Sequence, residues 1–272
     1  MRWMGCFPLL ALLLVLCAPV SAESDMGARP VLYVIGDSTA AAYGPERYPL
    51  FGWAQVLDYY FDDDQLTVQD KAVSGRSSKS FLDEGRWTPI QEALKPGDFV
   101  FIQFGHNDQK KSDPKRYTEP YTTYTEHLQR YIDDTRAAGA SPILLTPINR
   151  NGWETPKKLI HSMGDYPDAV RELAKAAKVP LIDMYRLTER YFEKLGQAKT
   201  TRLFINLPPG LYPIYPEGKP DNTHLQEQGA YAISALAIQS IRRQRLPLRA
   251  YLTPQHRSWG LNRRLQQKAA FD

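Results

Sequence analysis

Past residue 17 the sequence has no cysteine; its two, Cys6 and Cys17, lie near the start. A chain processed beyond that point has no disulfide, no thiol nucleophile and no thiolate metal site. After this opening stretch no apolar run approaches the roughly 20 residues a helix needs to cross a bilayer. There is no internal repeat, no low-complexity linker and no Asn-x-Ser/Thr acceptor; Asn222-Thr223-His224 does not fit that pattern. Solenoids, flexible tethers and disulfide-stapled scaffolds are thereby excluded.

What remains is ordinary globular material: 272 residues, 43% hydrophobic and 24% charged. Met1-Arg2-Trp3 is a short basic start, Phe7 to Cys17 an apolar run, and Pro19-Val20-Ser21-Ala22 a small-residue end. That is the pattern of a signal peptide cut after about Ala22, and it predicts a secreted or periplasmic protein. A retained membrane anchor is the alternative, and the run is short for one. The expected division is a signal peptide over 1–22, one catalytic domain over 23–245 and a basic C-terminal tail over 246–272. Charge concentrates at that end. Residues 242–272 carry eight basic side chains against one acid, Asp272, in a chain whose net charge is only +4. The excess is either a solvated tail or a contact for a polyanion.

Five short apolar runs read as strands: Val31 to Ile35, Leu66 to Asp70, Phe99 to Phe104, Ile143 to Thr146 and Pro180 to Asp183. Helical spacing falls between and after them, over Phe51 to Phe61, Tyr121 to Ala138, Pro167 to Lys178, a stretch ending at Leu195, and Gln226 to Arg245. Strands alternating with helices predict an α/β fold, with a parallel sheet covered on both faces. In such sheets ligands sit beyond the carboxyl ends of the strands. Polar clusters at Ser38, Gly75 and Asn107 follow the first three strands there.

Ser38 sits at a strand-to-helix turn, where its hydroxyl can project outward; it is equally suited to cap a helix. Asp221 and His224 are three apart, close enough for the carboxylate to hold one imidazole nitrogen and leave the other free. The same spacing also fits a capped helix start. Gly75 brings a backbone N–H close without a Cβ in the way, and the Asn107 amide adds a second donor, as an oxyanion requires. Ordinary turn chemistry accounts for each singly. Together they supply what a serine hydrolase needs: nucleophile, base, orienting acid and oxyanion donors.

Gly36-Asp37-Ser38-Thr39, Gly75, Gly105-His106-Asn107-Asp108 and Asp221-Asn222-Thr223-His224 resemble, in order, the four blocks of the SGNH (GDSL-like) hydrolases. Thr39 stands where the name has Leu. The resemblance covers about residues 30–245 and implies a three-layer α/β/α sandwich of flavodoxin-like type. It also implies that Ser38 attacks, His224 is the base, Asp221 orients it, and Ser38, Gly75 and Asn107 form the oxyanion hole. Gly75-Arg76-Ser77-Ser78-Lys79-Ser80-Phe81 and Glu84-Gly85-Arg86-Trp87 look like the rhamnogalacturonan acetylesterase branch. That implies removal of O-acetyl groups from plant cell-wall polysaccharide, most of all rhamnogalacturonan or pectin. Acetylxylan or another acetylated carbohydrate, a lipid or thioester on the same fold, and non-catalytic polysaccharide binding are the alternatives.

Arg76, Trp87, His106 and Trp153 are candidate substrate contacts, with the loop tyrosines Tyr212 and Tyr215 able to stack on sugars; His106 is equally suited to steady its loop, and Trp53 is expected in the core. His127 falls within a helix, and His161 and His256 have no motif around them. His106, Asp108, Asp221 and His224 include the ligand types of a metal site, but the ordered serine motifs account for the same residues, so neither metal nor cofactor is expected. The expected partner is an acetylated polysaccharide or oligosaccharide, with no nucleic acid, no membrane span in the mature chain, and a monomeric state.

Overall fold

The computed structural model describes Met1 and residues 29–257. The signal-peptide reading and the outer part of the basic tail therefore lie outside the described residues. Among the described residues ten strands appear in chain order. They are β1 (Val31–Gly36), β2 (Leu50–Phe51), β3 (Thr67–Asp70), β4 (Phe99–Gln103), β5 (Ser141–Leu145), β6 (Trp153–Thr155), β7 (Lys158–Leu159), β8 (Leu181–Ile182), β9 (Phe204–Leu207) and β10 (Lys219–Gln226). The helices used below are α1 (Ser78–Asp83), α2 (Thr88–Ala93), α3 (Thr125–Ala137), α4 (Tyr166–Ala176), α5 (Met184–Leu195), α6 (Gln197–Thr201) and α7 (Glu227–Gln244).

Five strands form one parallel sheet in the order β3-β1-β4-β5-β8. They correspond to the five runs read from the sequence. Alternate side chains of each strand point to opposite faces, and at β1, β4 and β5 both faces are buried. Leu32, Val34, Phe99, Phe101, Ile143 and Leu145 join Trp53, Phe192, Ile233, Ala237 and Ile241 in one core, under α5 and α7. Tyr33, Ile35, Val100, Ile102 and Leu144 join Phe81, Ile90, Leu128, Tyr131, Ile132 and Val170 in the other, under α1 to α4. This two-sided burial is why the strands read as continuous apolar runs. The result is the α/β/α sandwich expected, with flavodoxin-like strand order.

The chain passes from β1 outward to β3, then back across β1 to β4. The strand order thus reverses between β1 and β4, and the crevice beyond their carboxyl ends is where such sheets bind ligands. Ser38 and Asn107 follow these two strands.

Three local features differ from the sequence reading. The span 51–61 is not an α-helix but two tight turns, Trp53–Val56 and Asp58–Tyr60. Gly52 explains the departure. Its backbone lies so close to the segment after Ser38 that a Cβ would sit 2.1 Å from the Ala41 carbonyl oxygen and 2.3 Å from that of Ala40. The Trp53 N–H bonds the Thr39 carbonyl at 2.9 Å and the Ala54 N–H that of Ala40 at 3.2 Å. Gly52→Ala is therefore expected to destabilise by at least about 2 kcal/mol, as overpacking against a backbone does. A lowered denaturant midpoint with unchanged slope checks it.

Second, α1 and α2, six residues each, are too short to show a period in sequence. Third, residues 219–226, outside the five runs read as strands, form a strand. β10 pairs antiparallel with β2 and β9 in a small second sheet.

Beyond α7 the chain stays on the body as far as it is described. Leu248 and Leu252 are buried, and the Asp62 N–H bonds the Tyr251 carbonyl at 2.9 Å. No helix among the described residues is long and apolar enough to cross a membrane.

Candidate active site

The turn after β1 is fixed before its hydroxyl is used. Asp37 is fully buried, and its Oδ1 accepts from the Thr39 N–H at 2.9 Å and the Thr39 hydroxyl at 2.8 Å. Its carbonyl accepts from the Ala40 and Ala41 N–H groups. The Tyr43 hydroxyl donates to the Ser38 carbonyl at 2.7 Å, and Tyr43 is itself held by a two-way exchange between its backbone and the Gln55 amide. The Ser38 backbone thus has little freedom, and its Oγ is left to a different element.

That element is the middle of β10. The register between β10 and β9 shifts between Pro220 and Leu225. A bulge of this kind bends a strand and re-aims its side chains; Asp221 and His224 lie inside it. The Asp221 Oδ1 accepts from the Thr223 N–H at 2.8 Å and the His224 N–H at 3.0 Å, closing a local turn. The Asn206 amide donates to the Asp221 carbonyl at 3.0 Å and ties the bulge to β9. The three-residue spacing works through a capped bulge rather than a helical turn.

The two halves meet. His224 Nε2 lies 2.9 Å from Ser38 Oγ, and His224 Nδ1 lies 2.8 Å from Asp221 Oδ2. Burial acts to raise the Asp221 pKa, but the ring and backbone N–H of His224 and the Thr223 N–H outweigh it and bring it down to about 2. Asp221 therefore stays ionised, accepts from Nδ1–H, and leaves the Nε2 lone pair facing the serine hydroxyl.

Donors line the same place. Gly75 has φ +80°, a left-handed conformation that favours glycine, although a Cβ there would meet nothing within 4 Å. Its requirement is conformational rather than steric. Among the described residues, no acceptor engages the Ser38 or Gly75 backbone N–H. Asn107 donates one amide hydrogen to the Arg76 carbonyl at 2.9 Å, and Arg116 donates to Asn107 Oδ1 across 3.4 Å. Both contacts orient the amide so that its second hydrogen is free. Asn107→Ala is expected to lower kcat by about 10²–10³ with a smaller change in KM, the usual cost of one oxyanion donor. Steady-state kinetics on a small acetyl ester checks it.

Asp108 locks the two donor loops together. Its Oδ1 accepts from the Ser78 N–H at 3.0 Å, the Ser78 hydroxyl at 2.5 Å and the Thr118 hydroxyl at 3.1 Å. The Tyr166 hydroxyl donates to the carbonyls of Asp108 and Thr118. Burial raises the Asp108 carboxyl to about 7 despite those hydrogen bonds.

His106 faces inward. Its Nδ1 lies 3.3 Å from Asp37 Oδ2, and only 3% of the residue is exposed. Burial lowers the His106 pKa against the pull of Asp37; the contacts from His106 and Thr39 hold Asp37 low despite its own burial. His106 is thus a support behind the nucleophile, the structural one of its two expected roles, and its reading as a substrate contact is corrected. The possible metal set also separates: Asp221 and His224 bind each other, His106 faces Asp37, and Asp108 faces Ser78 and Thr118.

Trp87 is a second correction. It is 2% exposed, packs edge-on against Tyr131, and donates its indole N–H to Asp134 at 2.8 Å. It cannot stack on a sugar; the polar residues around it in sequence belong to helix ends that cover it. The Arg76 side chain is engaged with Glu84 at 2.9 Å and with the Ser74 carbonyl at 2.8 Å, and Arg86 shares the same Glu84 oxygen. Trp153 is half-buried and donates to Asn151 Oδ1 at 2.7 Å. Trp53 is in the core, its indole bonded to Gln103 at 2.7 Å.

Two residues near the site carried no sequence signal. Tyr43 is one. Arg150, in the loop after β5, is the other: its Nε donates to Thr223 Oγ1 at 3.2 Å, next to the Asp221–His224 turn. The neighbouring Asn151 N–H bonds the Asn222 carbonyl at 2.7 Å.

A strand-end serine, a bulge-borne histidine and aspartate, and loop donors on a flavodoxin-like sheet define a serine hydrolase of the SGNH class. The pattern of the GDSL-like Lipase/Acylhydrolase family matches residues 34–232, and the chain belongs to that family. It is an ester hydrolase. It is 38% identical over 225 residues to the rhamnogalacturonan acetylesterase RhgT of Bacillus subtilis, covering 82% of this chain and 95% of that one. It is 36% identical over 217 residues to the probable rhamnogalacturonan acetylesterase YesY of the same organism, covering 80% and 94%. Among solved structures, the crystal structure of the Bacillus subtilis protein YxiM aligns with TM-score 0.67 at 27% identity. That match covers 81% of this chain, and the chain spans 58% of YxiM.

Proposed function

We propose that this protein removes O-acetyl groups from a plant cell-wall polysaccharide, rhamnogalacturonan or a related pectin, and that it does so outside the cytoplasm. Ser38 Oγ attacks the acetyl carbonyl while His224 Nε2 takes its proton. The negative oxygen is held by the Ser38 and Gly75 N–H groups and the Asn107 amide. Protonated His224, stabilised by Asp221, returns the proton to the departing sugar hydroxyl, leaving an acetyl ester on Ser38. Water, deprotonated by His224, then releases acetate. No metal or cofactor enters any step.

The observation that carries the reading is the continuous Ser38–His224–Asp221 chain with contacts of 2.9 and 2.8 Å. The relatives' activity supports the substrate class. So do the polar and aromatic surroundings: Tyr215 and Lys219 sit beside the catalytic turn, with the ammonium 4.8 Å from the ring centroid and 4.0 Å from Asp221 Oδ2. Tyr212 contacts the exposed Tyr48. Half-buried tyrosine rings next to hydrogen-bonding groups suit sugars better than acyl chains. The N-terminal pattern over 1–22 supports export.

Acetate release tests this, measured on acetylated rhamnogalacturonan, acetylated xylan and long-chain acyl esters. The reading expects the first to be turned over fastest. Preference for the long-chain esters would overturn it.

A further inference from the structure

A hollow opens where β9 and β10 carry the catalytic bulge. It measures about 340 Å³, and its lining includes Tyr48, Arg202, Asn206, Tyr212, Gln226 and Glu227. That volume is at the lower end for small-ligand sites. The hollow is joined to the reacting centre. Asn206, in its wall, donates to the Asp221 carbonyl at 3.0 Å. Lys219 Nζ lies 4.0 Å from Asp221 Oδ2 and 4.8 Å from the Tyr215 ring centroid. Tyr215 pairs with Tyr212 through an antiparallel bridge, and the Tyr212 ring meets that of Tyr48 edge-on at 5.9 Å. A row of three tyrosines therefore leads from the catalytic turn to the hollow.

Its walls match hydroxyl groups. Tyr48 is 48% exposed, yet edge-on contacts with Phe51 at 6.2 Å and with Tyr212 hold its ring in one orientation. The Gln226 amide donates to the Phe204 carbonyl at 2.6 Å and the Arg202 carbonyl at 3.3 Å, much as Asn206 donates to Asp221. Each carboxamide is fixed through its nitrogen, and among the described residues its oxygen remains open to accept. Arg202 and Glu227 are exposed and opposite in charge. Among the described residues neither side chain has a hydrogen-bond or ion-pair partner, although the Glu227 charge acts on Tyr231. The lining thus offers donors and acceptors with no excess charge to select an ion. Sugar hydroxyls are donor and acceptor at once, and a tyrosine ring beside them suits the apolar face of the sugar. Because the rings and amides are already held, little ordering opposes binding.

We propose that the hollow between Tyr48 and Tyr212 is an ancillary subsite for a sugar ring of the substrate polymer remote from the acetylated one. Tyr215 and Tyr212 carry the chain between the two. The inference rests on the polysaccharide reading above and deepens it by giving the substrate a second point of contact. Two contacts on one chain make the second binding event intramolecular, so longer chains bind more tightly with the chemistry at Ser38 unchanged. Small esters and short fragments reach only the first contact.

The test compares acetate release from acetylated rhamnogalacturonan fragments of increasing length with hydrolysis of phenyl acetate. The unmodified protein, Tyr48→Ala and Arg202→Gln are measured side by side. In the unmodified protein KM is expected to fall about tenfold from the shortest fragments to those long enough to reach the hollow, with kcat little changed. Tyr48→Ala should remove about three- to tenfold of that gain, the worth of one aromatic contact. Arg202→Gln, at an exposed position, should remove less. Phenyl acetate, which occupies only the reacting centre, is the reference in each variant. Binding of deacetylated fragments, followed by titration calorimetry in the same three proteins, reads the subsite without any turnover.

A KM that does not change with fragment length overturns the proposal, as does a gain that survives both substitutions. If Tyr48→Ala loses as much on phenyl acetate as on long fragments, its fold is damaged and Arg202→Gln decides; a length gain left whole there overturns the proposal. Acetate release from the polymer is scored separately. Its absence removes the polysaccharide reading, and calorimetric binding weakened by Tyr48→Ala would still support the subsite. Release from the polymer with binding indifferent to Tyr48 and Arg202 removes only the subsite, and absence of both release and binding removes both.

Discussion

Replacing Ser38 with alanine is expected to lower kcat on a small acetyl ester by about 10⁴–10⁶ while leaving the fold intact. The size follows from what is lost. Without Oγ there is no acceptor for the acetyl group, and His224 and the oxyanion donors are left with an unactivated water. Serine hydrolases stripped of the nucleophile retain only the modest catalysis of binding and oxyanion contacts. The fold should survive because the side-chain contact of Ser38 is the single 2.9 Å interaction with His224, and His224 is half-exposed. Losing one such contact costs about 1 kcal/mol or less. Steady-state kinetics and a denaturant midpoint on the same preparation check both halves. Near-normal turnover in a folded Ser38→Ala protein would contradict the serine mechanism.

Asp221→Asn should cost about 10⁴ in kcat, by analogy with the same change in a serine protease triad. The reason is a reversed hydrogen bond. Asp221 Oδ2 accepts from His224 Nδ1–H, so Nε2 is free to accept from Ser38. An asparagine Nδ2 in that place would donate instead, moving the imidazole proton to Nε2 and blocking the base. The Asn Oδ1 could still accept from the Thr223 and His224 N–H groups, so the bulge should hold and stability should change little. An unaltered rate would remove Asp221 from its assigned role. The pH profile adds a second check. With its pKa brought down to about 2, Asp221 is ionised from about pH 4 upward. Any acid loss of activity above about pH 4 is therefore not expected to come from protonation of Asp221.

The parallel sheet was legible because burial on both faces writes continuous apolar runs, such as Val31 to Ile35 and Phe99 to Phe104, that turn residues then end. Ser38, Gly75 and Asn107 were legible because strand ends are where such a sheet places its loops. Asp221 and His224 could be paired by spacing, but the reason for the spacing could not. A bulge depends on the register of β10 against β9 and β2, a long-range pairing with little trace in local sequence. The misreading of 51–61 is of the same kind: apolar residues at helical intervals there follow two tight turns, imposed by Gly52 lying against Ala40 and Ala41.

The aromatic residues show the limit most clearly. Trp87 stands among polar neighbours in sequence, yet it is covered by Tyr131 and anchored to Asp134, 47 positions away. Polar neighbours along a chain do not predict polar neighbours in space. Arg150 fails in the opposite direction. A single arginine in a loop rich in Asn, Gly and Pro carries no pattern, and its position against Thr223 is set by the docking of that loop on the β10 turn.

The most direct measurement is rapid acid quenching of the protein during turnover of excess small acetyl ester, followed by peptide mass analysis. Acid traps an acyl ester by protonating the base that would hydrolyse it. The account predicts one acetyl group on the peptide containing Ser38, absent from Ser38→Ala and from an unreacted control. Steady turnover with no covalent acetyl under conditions that make deacylation rate-limiting, or acetyl carried by a residue other than Ser38, would contradict it.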